Sequence, residues 1–340
     1  MMIEPNNALH TVMMQNDIIT YAYSRYLNHT PRFLTPEMVE SLAKDCNIDT
    51  DEAFLSLFGA ACGLEPDINP THRTLERQYL RTGVRRLDPT VFQKDEYYCT
   101  VKFPNIKSGR WELKQSFYAP YEPFVCDHPK LTGEFREVPQ IGYFKEQFDF
   151  PAILENGIEW MTVTPNEIAT MREPIAKSRG CVLTLGLGLG YFAFCASQKK
   201  EVESVTVVER DGEVIDLFRR YLLPQFPNAE KIELIQADAF AYLEEHASNR
   251  RWDYIFADLW HDQSDGLPMY LKLRRIEKQT DFSHIDYWIE PSLLSSLRRM
   301  VWDKLTDRDA PMKLQGVSPK EFLSDNFLRR LAPDIKPIEN

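Results

Sequence analysis

Cys181-Val-Leu-Thr-Leu-Gly186-Leu-Gly188-Leu-Gly190-Tyr191-Phe-Ala-Phe194 runs from an apolar segment into a turn with three glycines at alternate positions, and leaves it on a small-and-aromatic helical pattern. A buried strand that hands over to a helix through a ligand-binding turn has this form. Glycine has no Cβ, so backbone there can approach a ligand closely and take conformations that other residues avoid. Residues 180–198 carry no charge, and Gly186 with Gly190 makes a G-x-x-x-G pair of the membrane-helix kind. Four glycines within the run, and the alternating strand and helix patterns that follow it, favour the turn.

The spacing is G-x-G-x-G, and Tyr191 stands where the dinucleotide fingerprint G-x-G-x-x-G needs its last glycine. That shift favours S-adenosyl-L-methionine over a pyrophosphate dinucleotide. Three more strands follow. The segment 204–208 leads to Glu209, placed as an acid that accepts hydrogen bonds from both ribose hydroxyls. The segment 232–235 leads to Asp238-Ala239-Phe240, and 252–257 leads to Asp258-Leu-Trp260-His261-Asp262. In a parallel sheet the carboxyl ends of strands lie side by side, so the glycines, Glu209, Asp238 and Asp258 are expected to converge on one crevice. Acids that only cap the following helices would explain each position singly, but not their joint order.

A chain of 340 residues exceeds the usual single domain. It reads as an N-terminal α+β domain over 1–150, helical in 1–88 and strand-rich in 95–150, a core domain over 151–310 and a helical tail over 311–340. Hydrophobic residues at 43% and charged residues at 27% are those of a globular protein. The net charge of −11 argues against nucleic acid or an anionic membrane as partner. Met1 to Asn7 lack the basic start and apolar core of a secretory signal. The six cysteines include no C-x-x-C pair and read as reduced thiols, so a cytoplasmic location is expected. Cys126-Asp127-His128 has no second ligand pair at zinc spacing, and no metal site is expected.

Around the core, Thr35-Pro36-Glu37 predicts a helix start, and a second helix is predicted from about Asp51 to a stop at Gly63. Arg73, Arg77, Arg81 and Arg85 recur every four positions, as a solvated helical face or as an anion clamp. Alternation predicts strands over 97–103 and 111–118, and a hairpin over 148–161 turning at Asn156-Gly157. Thr164-Pro165-Asn166-Glu167 is a capping box, and its helix is expected to kink at Pro174. Beyond the fourth strand come a basic helix over 268–278, a fifth strand over 285–289, a helix over 292–305 and a capped helix from Ser318 to Leu331.

Taken together, these residues resemble the class I S-adenosylmethionine-dependent methyltransferase superfamily over about 155–300, and within it the spermidine synthase branch. The run from Leu154 to Thr162, the helix with Glu167, and Val182 to Gly190 are similar to that branch's hairpin, lead-in and glycine strand. The resemblance implies a Rossmann-like, doubly wound, mostly parallel sheet. It also implies that Gly186, Gly188 and Gly190 approach the methionine and ribose part of the cofactor. Glu209 would hold the ribose, Asp238 the adenine amino group with Ala239 or Phe240 beside the ring, and Asp258 would sit near the sulfonium and acceptor. Departures accompany the likeness. Thr184 replaces the acid that starts the methyltransferase motif, Leu189 replaces the aspartate that spermidine synthases carry inside the loop, and their D-S-S-D segment reads Asp258-Leu-Trp-His261. The tyrosine after the lead-in glutamate is replaced around Thr170 and Met171, and the closing hairpin of methyltransferases is not found.

With several polyamine-binding acids missing, the expected function is methyl transfer from S-adenosyl-L-methionine to a small-molecule or protein acceptor. Asp258 and His261 are the catalytic candidates, His261 because histidine is the side chain most often used as general acid or base. Tyr191 and Trp260 are the candidate aromatic walls of the acceptor pocket. The alternatives are a spermidine-synthase-like aminopropyltransferase and a non-catalytic cofactor-binding scaffold. The N-terminal domain is expected to serve the substrate or a homodimer.

Overall fold

The computed structural model describes residues 7–245, 251–280, 285–306 and 318–335. The first six residues, and the domain boundary expected at 310, lie outside them. The described residues form two compact units, one drawn from Met1–Thr90, Phe117–Asp149 and Asp303–Pro319, the other from Val91–Ser116, Phe150–Trp302 and Lys320–Asn340.

The second unit is built on five strands, β1 (Gly180–Leu185), β2 (Val202–Glu209), β3 (Ile232–Gln236), β4 (Tyr254–Ala257) and β5 (Ile285–Tyr287). They lie in the order β3-β2-β1-β4-β5, and every neighbouring pair is parallel. Val182 to Leu185 are all buried, the continuous apolar run of a strand covered on both faces. The sheet is the Rossmann-like α/β type, all parallel rather than mostly so. Strand order reverses between β1 and β4, which creates a crevice beyond their carboxyl ends.

The glycine stretch is the turn at that crevice and not a membrane helix. Gly186, Gly188 and Gly190 have φ of 96°, 52° and 76°, all in the left-handed region that L side chains disfavour. Packing adds a second demand at Gly186, where a Cβ would stand 1.8 Å from the Asp258 carbonyl oxygen. The two strand ends are pressed together there. Among the described residues no helix is long and apolar enough to cross a membrane.

The lead-in hairpin pairs Phe148–Glu155 with Ile158–Thr162 around Asn156 and Gly157, both at positive φ as a two-residue I′ turn requires. It belongs to a four-stranded sheet with Ile106–Ser108 and Trp111–Tyr118. Thr164 and Glu167 form the expected capping box. The helix breaks at Met171, between Pro165–Thr170 and Arg172–Lys177, because Pro174 has no N–H to continue the ladder.

Residues 97–103 are not the expected strand. Glu96–Thr100 is a short helix capped by Asp95, and its Tyr97 packs edge-on against Tyr191 and Phe194. The alternation of aromatic and polar residues there reflects one buried face of a helix. This packing draws 91–116 into the second unit, so the two units are interleaved in sequence rather than cut once near 150.

In the first unit, the helices Asn7–His29, Pro36–Cys46 and Thr50–Ala61 accompany a three-stranded sheet of Val84–Arg86, Glu137–Tyr143 and Phe124–Leu131. Phe54 and Phe58 bring Tyr23, Tyr26 and Tyr143 into one aromatic core. The arginine series is no clamp. A π-helical turn over Glu76–Leu80 shifts its spacing, Arg81 makes a fork on Glu52, Arg73 donates to the carbonyls of Pro66 and Asp67, and Arg85 donates to Gln140.

The tail forms helices at Pro319–Phe322 and Asp325–Leu331. Buried Arg298 fastens them by donating to the Leu323 carbonyl at 2.7 Å and pairing with Asp325.

Candidate functional site

A cavity of about 210 Å³ lies at the reversal of strand order, bounded by the glycine turn and by the residues that follow β2, β3 and β4. Four strand ends meet there, each closed or followed by a polar or glycine residue. Glu209, only 7% exposed, closes β2. Its carboxylate accepts the Leu187 N–H at 3.2 Å and the Asp211 N–H at 2.8 Å, joining the glycine turn to the start of the next helix. Burial pushes this carboxyl above its ordinary range, against the opposing pull of the Asp211, Leu187 and Arg210 backbone.

Asp238 both lines the cavity and caps the helix Ala239–Glu245, its Oδ1 accepting the N–H groups of Phe240 and Ala241 at 3.0 Å each. Ala239 and Phe240 line the same wall, and the Lys272 ammonium sits 3.8 Å over the Phe240 ring. Capping and lining are therefore one arrangement at this residue, not rival explanations.

Asp258 stands at the end of β4, and its Oδ1 is buried with no hydrogen-bond partner in the protein. Burial holds this carboxyl well above the usual carboxylate range, and the nearby Glu167 and Glu209 push it the same way. An unpartnered carboxyl flanked by two acids is what a cationic ligand would satisfy. The arrangement suits a ligand that carries a positive centre.

The remaining expected residues divide. His261 lines the cavity half-exposed, its ring edge-on to Trp160 at 5.7 Å. Its Nδ1 lies 2.9 Å from Asp265 Oδ2, so Asp265, not Asp258, is the acid that orients it. Burial raises the Asp265 carboxyl, but hydrogen bonds from the Asp262 N–H and the His261 ring outweigh it and hold the group below its usual range. Trp260 lines the cavity yet is 2% exposed and packs on Gly266, where a Cβ would come within 2.8 Å of the ring. Tyr191 is not at this cavity. Its hydroxyl donates to Asp95 at 2.9 Å, and its ring borders a separate cavity of about 20 Å³. Gly190 borders neither, the space of its missing side chain being taken by Phe218.

The small cavity shares Met161, Gly186, Leu187, Gly188 and Asp258 with the larger one. Thr162, Glu167 and Thr184 add polar side chains to its lining. Sequence reading assigned Glu167 only to the capping box, which it does form, accepting the Thr164 N–H at 2.7 Å and its hydroxyl. Burial nevertheless raises its carboxyl above the ordinary range despite those bonds. Its second role was hidden because the helix it starts precedes the strands whose ends define the crevice. Asp265 was hidden too, since an aspartate in a first helical turn reads as a dipole partner.

An all-parallel sheet thus brings together a glycine turn, a buried acid after β2 and an unpartnered acid after β4. Residues 168–274 match the family model of the spermine/spermidine synthase domain. A spermidine synthase crystallised in complex with the transition-state analogue AdoDATO is 21% identical, over 34% of this chain and 43% of its own, with a TM-score of 0.26. The spermidine synthase of Thermotoga maritima is 16% identical, over 45% of this chain and 58% of its own, with a TM-score of 0.30. The chain thus spans about half the length of these solved relatives. No curated protein matches it.

Proposed function

We propose that the second unit is an alkyl transferase of the spermidine-synthase type, taking the aminopropyl group of decarboxylated S-adenosyl-L-methionine to a small amine acceptor. The observation that carries this reading is the charge of the lining. Around the small cavity the acidic residues are Glu167 and Asp258, with no lysine or arginine. A donor that ends in an ammonium is favoured there, whereas the carboxylate of S-adenosyl-L-methionine would face like charges. The match over 168–274 supports the same choice.

The donor supplies a carbon already activated by the sulfonium, so the protein has chiefly to align it with the amine and exclude water. Glu209 and the glycine turn hold the adenosyl end, and Asp258 offsets the positive centre. His261, held at Nδ1 by Asp265, presents Nε2 to accept the proton that the amine must lose. Methyl transfer is the second reading, favoured by Leu189 at the position of the polyamine enzymes' loop acid.

Incubation with each donor and a panel of primary amines separates them. Release of 5′-methylthioadenosine from the decarboxylated donor is expected. S-adenosylhomocysteine as the sole product would instead establish methyl transfer. His261→Ala is expected to lower kcat by about 100-fold while leaving donor affinity within about twofold. Asp265→Asn, acting through the histidine, should lower kcat by about tenfold and displace the pH profile. Full activity of His261→Ala would remove the ring from the proton path.

A further inference from the structure

Asp95, Tyr97 and Tyr98 stand at the start of the short helix Glu96–Thr100, and each is tied to a different residue of the small cavity's lining. Asp95 accepts the hydroxyl of Tyr191 at 2.9 Å, Tyr97 donates its hydroxyl to the Leu189 carbonyl at 2.8 Å, and Tyr98 donates to the Val163 carbonyl. This strap is itself well fastened. Tyr97 is fully buried among Tyr191, Phe194 and Phe226. Further along, the Gln225 side-chain amide exchanges two hydrogen bonds with the Lys102 backbone, at 2.8 and 3.1 Å. Burial raises the Tyr97 and Tyr191 phenols above their ordinary range, so both stay protonated and act as donors.

The peptide between Leu189 and Gly190 is held at both ends. Its carbonyl takes the Tyr97 hydroxyl, and its N–H, on Gly190, donates to the Leu187 carbonyl at 2.8 Å. Turning a peptide plane over changes ψ of the residue before it and φ of the residue after it, and glycine accepts either sign of φ at little cost. Gly190 stands at φ of 76° and starts the helix Tyr191–Gln198 without a side-chain cap. The local chain therefore permits this plane to turn, and the phenol of Tyr97 is the tie that reaches it from outside the turn. Without that hydroxyl the buried carbonyl loses its donor, which favours a reoriented plane.

We propose that Asp95, Tyr97 and Tyr98 are positioning residues that hold the glycine turn and the end of the lead-in hairpin in the form that receives an adenosyl ligand, with Tyr97 fixing the Leu189–Gly190 peptide. A ligand then meets a turn that is already ordered, and its affinity is higher for that reason. This rests on the crevice binding an adenosyl compound, and it is the same for aminopropyl and methyl donors.

Tyr97→Phe tests it, since the change removes one oxygen and keeps the ring in its aromatic contacts. Calorimetric titration with 5′-methylthioadenosine is expected to show about tenfold weaker binding than the wild type, the scale of one buried carbonyl left without its donor. Amide hydrogen exchange at Gly190 is expected to quicken by about the same factor. A merely structural tyrosine would lower the melting temperature and leave both readouts at wild-type values, and that result overturns the proposal. Weaker binding with Gly190 exchange unchanged also overturns it, because the effect would not run through the peptide. If Tyr97→Phe is not recovered folded, the pair Asp95→Asn and Asp95→Ala decides. Asparagine keeps the helix cap and an acceptor for Tyr191 and should bind within about twofold of the wild type, whereas alanine should bind about threefold or more weakly. Equal affinity of those two variants overturns the proposal and leaves the adenosyl site standing. Failure of the wild type to bind methylthioadenosine would defeat the adenosyl reading and the proposal with it.

Discussion

Replacing Asp258 with asparagine is expected to lower kcat/KM by about 100- to 1,000-fold and, at the same time, to raise the thermal stability of the ligand-free protein near neutral pH. The first effect is the loss of a fixed charge beside a cationic reacting centre in a water-poor site. The second follows from linkage. The Asp258 carboxyl is raised in the folded state by burial and by Glu167 and Glu209, so the folded protein holds a proton that the unfolded chain has released. Such a group contributes its stability fully below its unfolded value, about pH 4, and loses it as pH rises through the folded value. At pH 7 to 8 the buried, unpartnered carboxyl is therefore a burden of at least about 1 kcal/mol, or roughly 2–4 °C in Tm. The asparagine variant should be the more stable protein at pH 8 and lose that advantage as pH falls toward 4. Melting curves of both proteins across that range measure it. A variant less stable than the wild type at pH 8 would show that the carboxyl is paired and structural.

The second large effect lies at Gly186. An alanine there would bring its Cβ to 1.8 Å from the Asp258 carbonyl oxygen, on a backbone with φ of 96°. The oxygen belongs to the end of β4, so relief requires the strands at the crevice to part. We expect Gly186→Ala to lose more than about 4 kcal/mol, enough to prevent recovery of folded protein. Gly157→Ala is the control, since it has a similar φ of 84° and nothing within 4 Å of the added carbon. It should lose only about 1–2 kcal/mol, the conformational cost alone. Similar urea midpoints for the two variants would mean that the strand ends can separate without penalty. Gly186 thus answers to the architecture that makes the crevice, and only then to any ligand within it.

The distinction bears on how much the sequence disclosed. The glycine run and the acids at 209, 238 and 258 were legible because strand ends in a parallel sheet must fall side by side, and local pattern located those ends to within a few residues. The hairpin turn and the capping box were legible for the same local reason. Tertiary packing hid the rest. Tyr97 looked like part of a strand because its buried partners Tyr191, Phe194 and Phe226 are distant in sequence. Tyr191, expected at the acceptor pocket, borders the small cavity instead, its hydroxyl held by Asp95. The acid that holds the His261 ring, Asp265, lies one helical turn onward from it. Most consequentially, Glu167 serves as a helix cap and as a cavity wall, and only the first role has a signature in a single sequence. Without it, the lost polyamine acids pointed to methyl transfer. With it, the small cavity has two carboxyls on its lining, the observation on which the aminopropyl proposal rests.

Calorimetric titration of decarboxylated and intact S-adenosyl-L-methionine at pH 8 and again at pH 5 is the most direct measurement. The carboxyls at 167 and 258 are expected to give the decarboxylated donor at least about tenfold higher affinity at pH 8, with the gap narrowing at pH 5 as they take up protons. Equal or tighter binding of the intact compound at pH 8 would contradict an ammonium-selective site.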